Sequence, residues 1–148
     1  HAERLAAKIK EYEQEIRLSV RGNELAMRAQ TRQGVGPITA SALIATVGNG
    51  HDFKNGRQFA AWLGLVPRQY STGGKTRLGH ITKRGDPYLR TLFVMGARSV
   101  LQRAGRETDP FSRWAAAVQA RRGYHRVCVA IAAKNARVTW ALLAKAAA

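Results

Sequence analysis

The sequence predicts an all-α, predominantly helical protein with one glycine-rich basic loop and an amphipathic, possibly coiled-coil helix at its N-terminus. Apolar residues recur at helical spacing along most of the chain, two Asp-Pro pairs stand where helices should begin, and no strand-rich region is visible. The chain has 148 residues, 45% of them hydrophobic, and is therefore long enough to bury a core of its own.

The first predicted helix spans residues 3–20, and its apolar residues follow one another at steps of four, three, four and four. They are Leu5, Ile9, Tyr12, Ile16 and Val20. Such a stripe either pairs with another helix or packs on the protein's own domain, and so few heptads leave both interpretations open. We predict an amphipathic segment over residues 1–30 that is a candidate for oligomerisation, followed by a helical domain over residues 31–148.

A glycine turn, Gly34-Val35-Gly36, precedes an apolar helix that should end near Gly48. A glycine-hydrophobe-glycine turn resembles the helix-hairpin-helix motif, whose turn amides can hold a DNA phosphate as helix N-termini hold anions. The pattern over residues 34–48 is also typical of a tight connection between two helices. Gly34 and Gly36 are therefore candidate contacts to nucleic acid, with a structural turn as the alternative.

Residues 64–85 are predicted as a loop because they contain five glycines and a proline but no long helical period, with short extended pieces around 70 and 78–82. Asn55 should cap a short helix before this loop. After it, Asp86 and Asp109 each precede a proline, a pattern that predicts a capped helix start at both places. The last helix should span about residues 125–145.

Charge is the strongest functional signal in the composition. The formal net charge is +16, and residues 1–24 contribute none of it because they hold five basic and five acidic residues. The other 124 residues carry 20 basic against four acidic ones. This excess favours a polyanion, most often a nucleic acid. No apolar run approaches the roughly 20 residues of a membrane span, so no membrane partner is predicted.

The cysteine, carboxylate and histidine residues give little support for a metal site or a reactive thiol. The single cysteine, Cys128, excludes an internal disulfide, fits a reducing intracellular setting and is predicted to be a small buried hydrophobe. Only four carboxylates follow residue 24, two of them as predicted caps, and the histidines lack zinc-ligand spacing. No metal site or cofactor is predicted for this chain. Because it begins with His rather than Met, we expect a piece of a longer protein.

The segment YSTGGKTRLGHITKRG, residues 70–85, contains GGKT but is not a phosphate-binding P-loop, because that motif needs glycine at position 69, which is Gln. Ser71 precedes glycines that let a ligand come close and cations that would stabilise charge on a phosphate oxygen. The candidate nucleic-acid contacts are Arg68, Gly73, Gly74, Lys75, Arg77, Lys83, Arg84 and Arg90. Because no activating base is evident, Ser71 is either a nucleophile or a hydrogen-bonding turn residue.

A family resemblance bears on this choice. The stretch LGLVPRQYSTGGKTRLGHITKRGDPYLR, residues 63–90, resembles the C-terminal transposase domain of the IS-one-ten family of insertion-sequence recombinases, most of all its IS-eleven-eleven subgroup. The closing VAIAAKNARVTWALL is similar to the last helix of that family, and the likeness extends over nearly the whole chain.

The resemblance implies that Ser71 attacks a DNA phosphodiester and becomes covalently linked to it, with Thr72 as a distant alternative. It implies a bridge RNA that selects the DNA sites, and a dimer or tetramer in which the serine meets acidic Mg²⁺ ligands of a RuvC-like domain. That domain is absent from this chain, so the fragment alone should be inactive. The resemblance further implies a bacterial or archaeal cytoplasmic protein associated with the nucleoid. The alternative is a non-catalytic helix-hairpin-helix module that binds DNA or RNA.

Overall fold

A computed structural model describes the backbone of residues 1–72, 75–81 and 85–146, and the side chains of residues 1–66 and 85–145. The elements are α1 (Ala2–Arg21), α2 (Glu24–Ala29), α3 (Pro37–Val47), α4 (Gly56–Trp62), β1 (Pro67–Thr72), β2 (Lys75–Ile81), α5 (Pro87–Ala104), α6 (Pro110–Arg122) and α7 (Tyr124–Ala146). The predicted predominantly helical class is confirmed. The segment 1–30 contains two helices, separated by Gly22 and Asn23, and the division into two regions stays a prediction.

The main departure from a helical chain lies in the predicted loop. Where short extended pieces were expected, β1 and β2 form an antiparallel hairpin between α4 and α5. The strands are six and seven residues long, but neither PRQYST nor KTRLGHI alternates apolar and polar residues, so periodicity does not identify them. The five glycines of residues 64–85 were the stronger local signal, and they indicated a loop rather than paired strands.

Helix starts follow the predicted caps. The side chain of Asn55 accepts a hydrogen bond from the Gln58 amide at the start of α4. Asp86 accepts one from the Leu89 amide at the start of α5, and Asp109 does the same for α6. A carboxylate or amide oxygen at this position satisfies a helix amide that has no intrahelical acceptor, and proline at the next position loses no hydrogen bond.

The core lies where α7 packs against α2, α4, α5 and α6. Its largest fully buried side chains include Phe59, Leu63, Phe93, Ile131 and Leu143. The indole nitrogen of Trp140 donates to the Gly50 carbonyl at 2.8 Å, which ties α7 to the segment before α4.

Helix α7 also corrects one expectation. Its stretch Tyr124–Lys145 has 22 residues and contains an 18-residue window with a mean hydropathy of 1.4, so it is long and apolar enough to cross a membrane. Half of that window is buried inside the fold, as is typical of a core helix. The helix therefore does not indicate a membrane.

Helix α1 contributes little to the core. Val20 is its one buried residue, and Ile16 is packed partly against the core. The rest of the predicted stripe, Leu5, Ile9 and Tyr12, is 56–57% exposed. Only the C-terminal end of this amphipathic face is covered by the described part of the chain.

Candidate nucleic-acid interface and serine hairpin

The hairpin places Ser71 near the turn between two paired strands. Its backbone is paired with Thr76, and the next pair toward the turn is Thr72 with Lys75. The pairing is irregular between Pro67 and Gln69. The predicted nucleophile Ser71 and the predicted contacts Arg68, Lys75 and Arg77 lie within the strands, and their side chains lie outside the described residues. Gly73, Gly74, Lys83 and Arg84 lie outside the described residues altogether.

Both ends of the hairpin are fixed to the end of α4. Gly85 follows the hairpin with φ +77°, and a Cβ added to it would collide with the Trp62 carbonyl. The Arg90 guanidinium in α5 donates to the carbonyl of Leu63, 3.3 Å away. Leu63 and Leu65 are themselves buried. Closely packed residues therefore lie before the hairpin, at Leu63 and Leu65, and after it, at Gly85, and we call this region the hairpin base.

Aromatic rings pack against one another next to the hairpin base. Phe53 packs 5.2 Å from Phe59 and 5.4 Å from Trp62, measured between ring centroids. Phe59 also meets Phe93 of α5 edge-on at 6.4 Å. Because aromatic contacts of this kind add stability beyond the burial of their area, α4 and the start of α5 form one support for the hairpin.

Arg90 was predicted to contact nucleic acid. The structure gives it a half-buried position and a hydrogen bond within the protein, to Leu63. It therefore helps to hold the hairpin base. A contact of this arginine with phosphate stays a prediction.

The glycine turn packs against the core. Gly34 has φ +94°, which favours glycine, and a Cβ on it would lie 2.8 Å from the Asn135 amide nitrogen. Its carbonyl rests directly on Gly96 of α5, where a side chain on Gly96 would collide with it. Gly96 lies nine residues after Pro87, about 14 Å along α5 at 1.5 Å per residue. Gly34 is thus needed for close packing, whatever else the turn contacts.

Gly36 occupies a different environment. It is the N-cap residue of α3, no side chain caps that helix, and a Cβ on Gly36 would meet nothing within 4 Å. Helices lie on either side of the turn, α2 before it and α3 after it. Contact of the Gly36 region with a phosphate stays a prediction.

A polar network that the sequence analysis missed joins this turn to α7. Asn135 is fully buried; its amide nitrogen donates to the Gln33 carbonyl at 2.9 Å, and its oxygen accepts from Arg32 Nε at 2.7 Å. The Arg32 guanidinium stacks 3.9 Å from the Phe111 ring centroid, and burial lowers its pKa from the ordinary value. An asparagine within an apolar helix and a glycine within α5 were the available signals.

The remaining titratable candidates do not form a site among the described residues. Cys128 is 4% exposed, and burial raises the pKa of its thiol against the opposing effects of Tyr124 and Arg98, so its prediction as a buried hydrophobe is confirmed. His51 meets the Ala144 carbonyl at 3.2 Å. In the part of the chain that the structure describes, no three His, Cys, Asp or Glu residues form a group that could hold a metal.

The fold and the hairpin define a cationic helical domain that presents a short, firmly based hairpin. The sequence model of the family described as "Transposase IS116/IS110/IS902 family" matches residues 26–113, more than half of the chain. This chain therefore belongs to the IS116/IS110/IS902 transposase family, which confirms the resemblance at the level of the family.

Named relatives agree. The chain is 52% identical, over 95% of its length, to a "Probable family 20 transposase" of Pseudomonas aeruginosa. It is 46% identical over 93% of its length to the transposase for insertion sequence element IS1111A of Coxiella burnetii, and 41% identical over 92% to that for IS1328 of Yersinia enterocolitica. It spans only 42%, 38% and 41% of these three relatives.

Proposed function

We propose that this chain is the catalytic-serine portion of a DNA transposase, in which Ser71 attacks a DNA phosphodiester. The observation that carries the proposal is the position of Ser71 in the β1–β2 hairpin, one residue before its last strand pair, in a member of a transposase family. The packed hairpin base supports it, because a nucleophile must be held in a fixed geometry relative to the scissile group.

The proposed reaction is a transesterification. The Ser71 oxygen forms a bond to phosphorus while one bridging ester oxygen leaves as a deoxyribose hydroxyl. The serine proton passes to a base and from there to the leaving oxygen. Rejoining reverses the step, with a deoxyribose hydroxyl of the new partner strand displacing the serine. One ester replaces another at each step, so no external energy source is needed.

Cations of the hairpin segment would stabilise the charge that develops on the phosphate oxygens. The candidates are the sequence-predicted set of Arg68, Lys75, Arg77, Lys83, Arg84 and Arg90, with Gly73 and Gly74 allowing the backbone to approach DNA. Arg90 would act through the hairpin base, where its guanidinium donates a hydrogen bond to the Leu63 carbonyl.

The rest of the active site would come from elsewhere. We propose that the base and the Mg²⁺ ligands belong to a RuvC-like domain outside this chain, and that a bridge RNA selects the DNA sites. Two observations support this division. Few carboxylates follow residue 24, and the chain spans only 42% of the Pseudomonas aeruginosa relative. The fragment alone should therefore show no recombinase activity.

Helix α1 would bring subunits together. Its exposed residues Leu5, Ile9 and Tyr12 continue the stripe whose C-terminal end, Ile16 and Val20, packs against the core, and residues 1–24 together carry no net charge. A neutral amphipathic helix suits a protein partner better than a polyanion. We propose a homo-oligomer, a dimer or tetramer, through this face.

The test compares DNA binding with strand exchange in the full-length protein supplied with its guide RNA. Ser71→Ala should abolish strand exchange and leave DNA affinity within about twofold, because only one neutral hydroxyl is lost. Thr72→Ala, one residue away in the same strand, should retain activity. Strand exchange by Ser71→Ala would reject the nucleophile and favour the binding-module alternative.

A further inference from the structure

The connection between α6 and α7 forms a cationic surface that the proposed function does not use. Gly123, with φ +87°, joins the last residue of α6 to the first of α7. All residues from 119 to 126 are exposed. Three of them are arginines, Arg121, Arg122 and Arg126, and we call these three the α6–α7 cluster.

No negative charge balances this cluster. From residue 110 to residue 148 the sequence contains seven Lys and Arg residues but no Asp or Glu. Within the described residues, the only ion pair joins Lys8 to Glu11 in α1. The three arginines therefore repel one another without a carboxylate to offset the repulsion, a pattern that favours an external anion.

Helix stabilisation explains only part of the cluster. Arg121 and Arg122 lie in the last turn of α6, where cations interact favourably with the negative end of the helix dipole. Arg126, however, lies in the first turn of α7, which contains no acidic residue. A cation at that end opposes the helix dipole, so Arg126 costs stability unless an anion binds beside it.

A fourth cation reaches the same place from another helix. Arg98 of α5 is exposed, and its charge and hydrogen bond act on Cys128, one turn into α7. Tyr124, at the first position of α7, also bonds to Cys128 and packs edge-on against His125 at 5.6 Å. Arg98 of α5 therefore lies near the first turns of α7, where Arg126 is located, and Arg121 and Arg122 directly precede Gly123 in the sequence.

We propose that the α6–α7 cluster binds the phosphate backbone of a nucleic acid, as a second contact separate from the serine hairpin. The proposal rests on the proposed function only for the class of the ligand. It does not require Ser71, and the surface lies beyond residues 26–113, which the family model matches. A second backbone contact would fix the orientation of the strand and increase affinity without reading sequence.

Binding of the 148-residue chain to labelled probes, a short DNA duplex and a single-stranded RNA, tests this proposal across a series of salt concentrations. The variant is Arg121→Gln/Arg122→Gln/Arg126→Gln. The matched control, Arg4→Gln/Lys10→Gln/Arg17→Gln, removes the same charge from exposed positions of α1. Each lost phosphate contact should reduce the slope of log K against log salt by about 0.9 for duplex and about 0.7 for single strands.

On the preferred probe, the slope of log K against log salt should decrease in magnitude by about two to three in the cluster variant and by less than one in the α1 control. The probe with the greater loss identifies the strand type. Equal losses in both variants would overturn the proposal because net charge alone would then explain binding. No loss in the cluster variant would overturn it because the cluster would then make no phosphate contact.

Thermal unfolding of Arg126→Gln separates binding from folding. Its Tm should stay the same or rise, since a cation leaves the positive end of α7, while its affinity for the probe falls. A lower Tm with unchanged affinity would mean that this arginine is structural and would reject its role in binding. Both measurements are made without strand exchange and with Ser71 intact, so failure of the serine proposal would remain distinguishable.

Discussion

Helices α1 and α7 are both long and amphipathic, with 20 and 23 residues, but they are used in opposite ways. α7 buries its apolar side chains in the core, whereas α1 buries only Val20. The charges differ too. The basic and acidic residues of positions 1–24 are equal in number, whereas α7 contains Lys and Arg residues but no Asp or Glu. Helix α1 therefore leaves an apolar face exposed, and α7 carries an unbalanced positive charge. We propose a protein partner for the first and a polyanion for the second.

The largest expected effect contrasts one isoleucine in each helix. Ile131→Ala in α7 should lower the free energy of unfolding by about 3 to 4 kcal/mol, because a fully buried side chain leaves a cavity. Ile9→Ala in α1 should change it by less than about 0.5 kcal/mol, since that side chain is 57% exposed. Chemical denaturation of both variants at low protein concentration measures the difference. Equal losses would show that α1 is part of the core.

A slightly smaller effect is expected at the hairpin base, which depends on the packed region. Gly85→Ala combines a positive φ with a collision against the Trp62 carbonyl, and should cost about 3 kcal/mol in unfolding free energy. Gly105→Ala is the matched control, with φ −74° and open space around the added methyl group. If Gly85→Ala unfolds at the same denaturant concentration as the control, the close packing of Gly85 against Trp62 does not contribute to stability.

The buried polar network of α7 should show coupling between two residues. Asn135→Leu removes the partner of Arg32 Nε and of the Gln33 carbonyl, so it should cost about 2 kcal/mol. Arg32→Met should cost less by itself. A double-mutant cycle should give a coupling energy of about 1 kcal/mol between Arg32 and Asn135. Strict additivity would indicate that the hydrogen bond between them contributes nothing to stability.

The smallest expected effect is a pH dependence at the start of α6. Hydrogen bonds from the Ser112 hydroxyl and amide lower the pKa of Asp109 below its ordinary value of 3.8. Stability from this cap is therefore present above pH 3.8 and is lost as pH falls through the lower folded-state pKa. Asp109→Asn should flatten this acid limb of the unfolding curve. An unchanged acid limb in Asp109→Asn would assign it to other carboxylates.

Features set by neighbouring residues were predictable from the sequence. Asn55, Asp86 and Asp109 cap the expected helices because a cap needs only its own residue and the next turn. The family likewise followed from a local stretch, residues 63–90. The candidate site residues Ser71, Lys75 and Arg77 were located in the chain, and their roles stay predictions.

Features set by distant residues were not predictable. The contact of Gly34 with Gly96 and the bond of Asn135 to Arg32 join segments 62 and 103 positions apart. Nothing in either local pattern identifies its partner. The exposure of Leu5, Ile9 and Tyr12 in α1 also could not be predicted, because periodicity shows that a face is apolar but not what covers it.

The central claim is that Ser71 forms a covalent bond to DNA, and one measurement tests it most directly. Full-length protein with guide RNA and nicked target DNA is denatured, digested with nuclease and protease, and analysed by tandem mass spectrometry. We expect a nucleotide attached through phosphorus to the side-chain oxygen (Oγ) of Ser71, and no such modified peptide from Ser71→Ala. A nucleotide found on Thr72 or another residue, or an adduct that persists in Ser71→Ala, would contradict the claim.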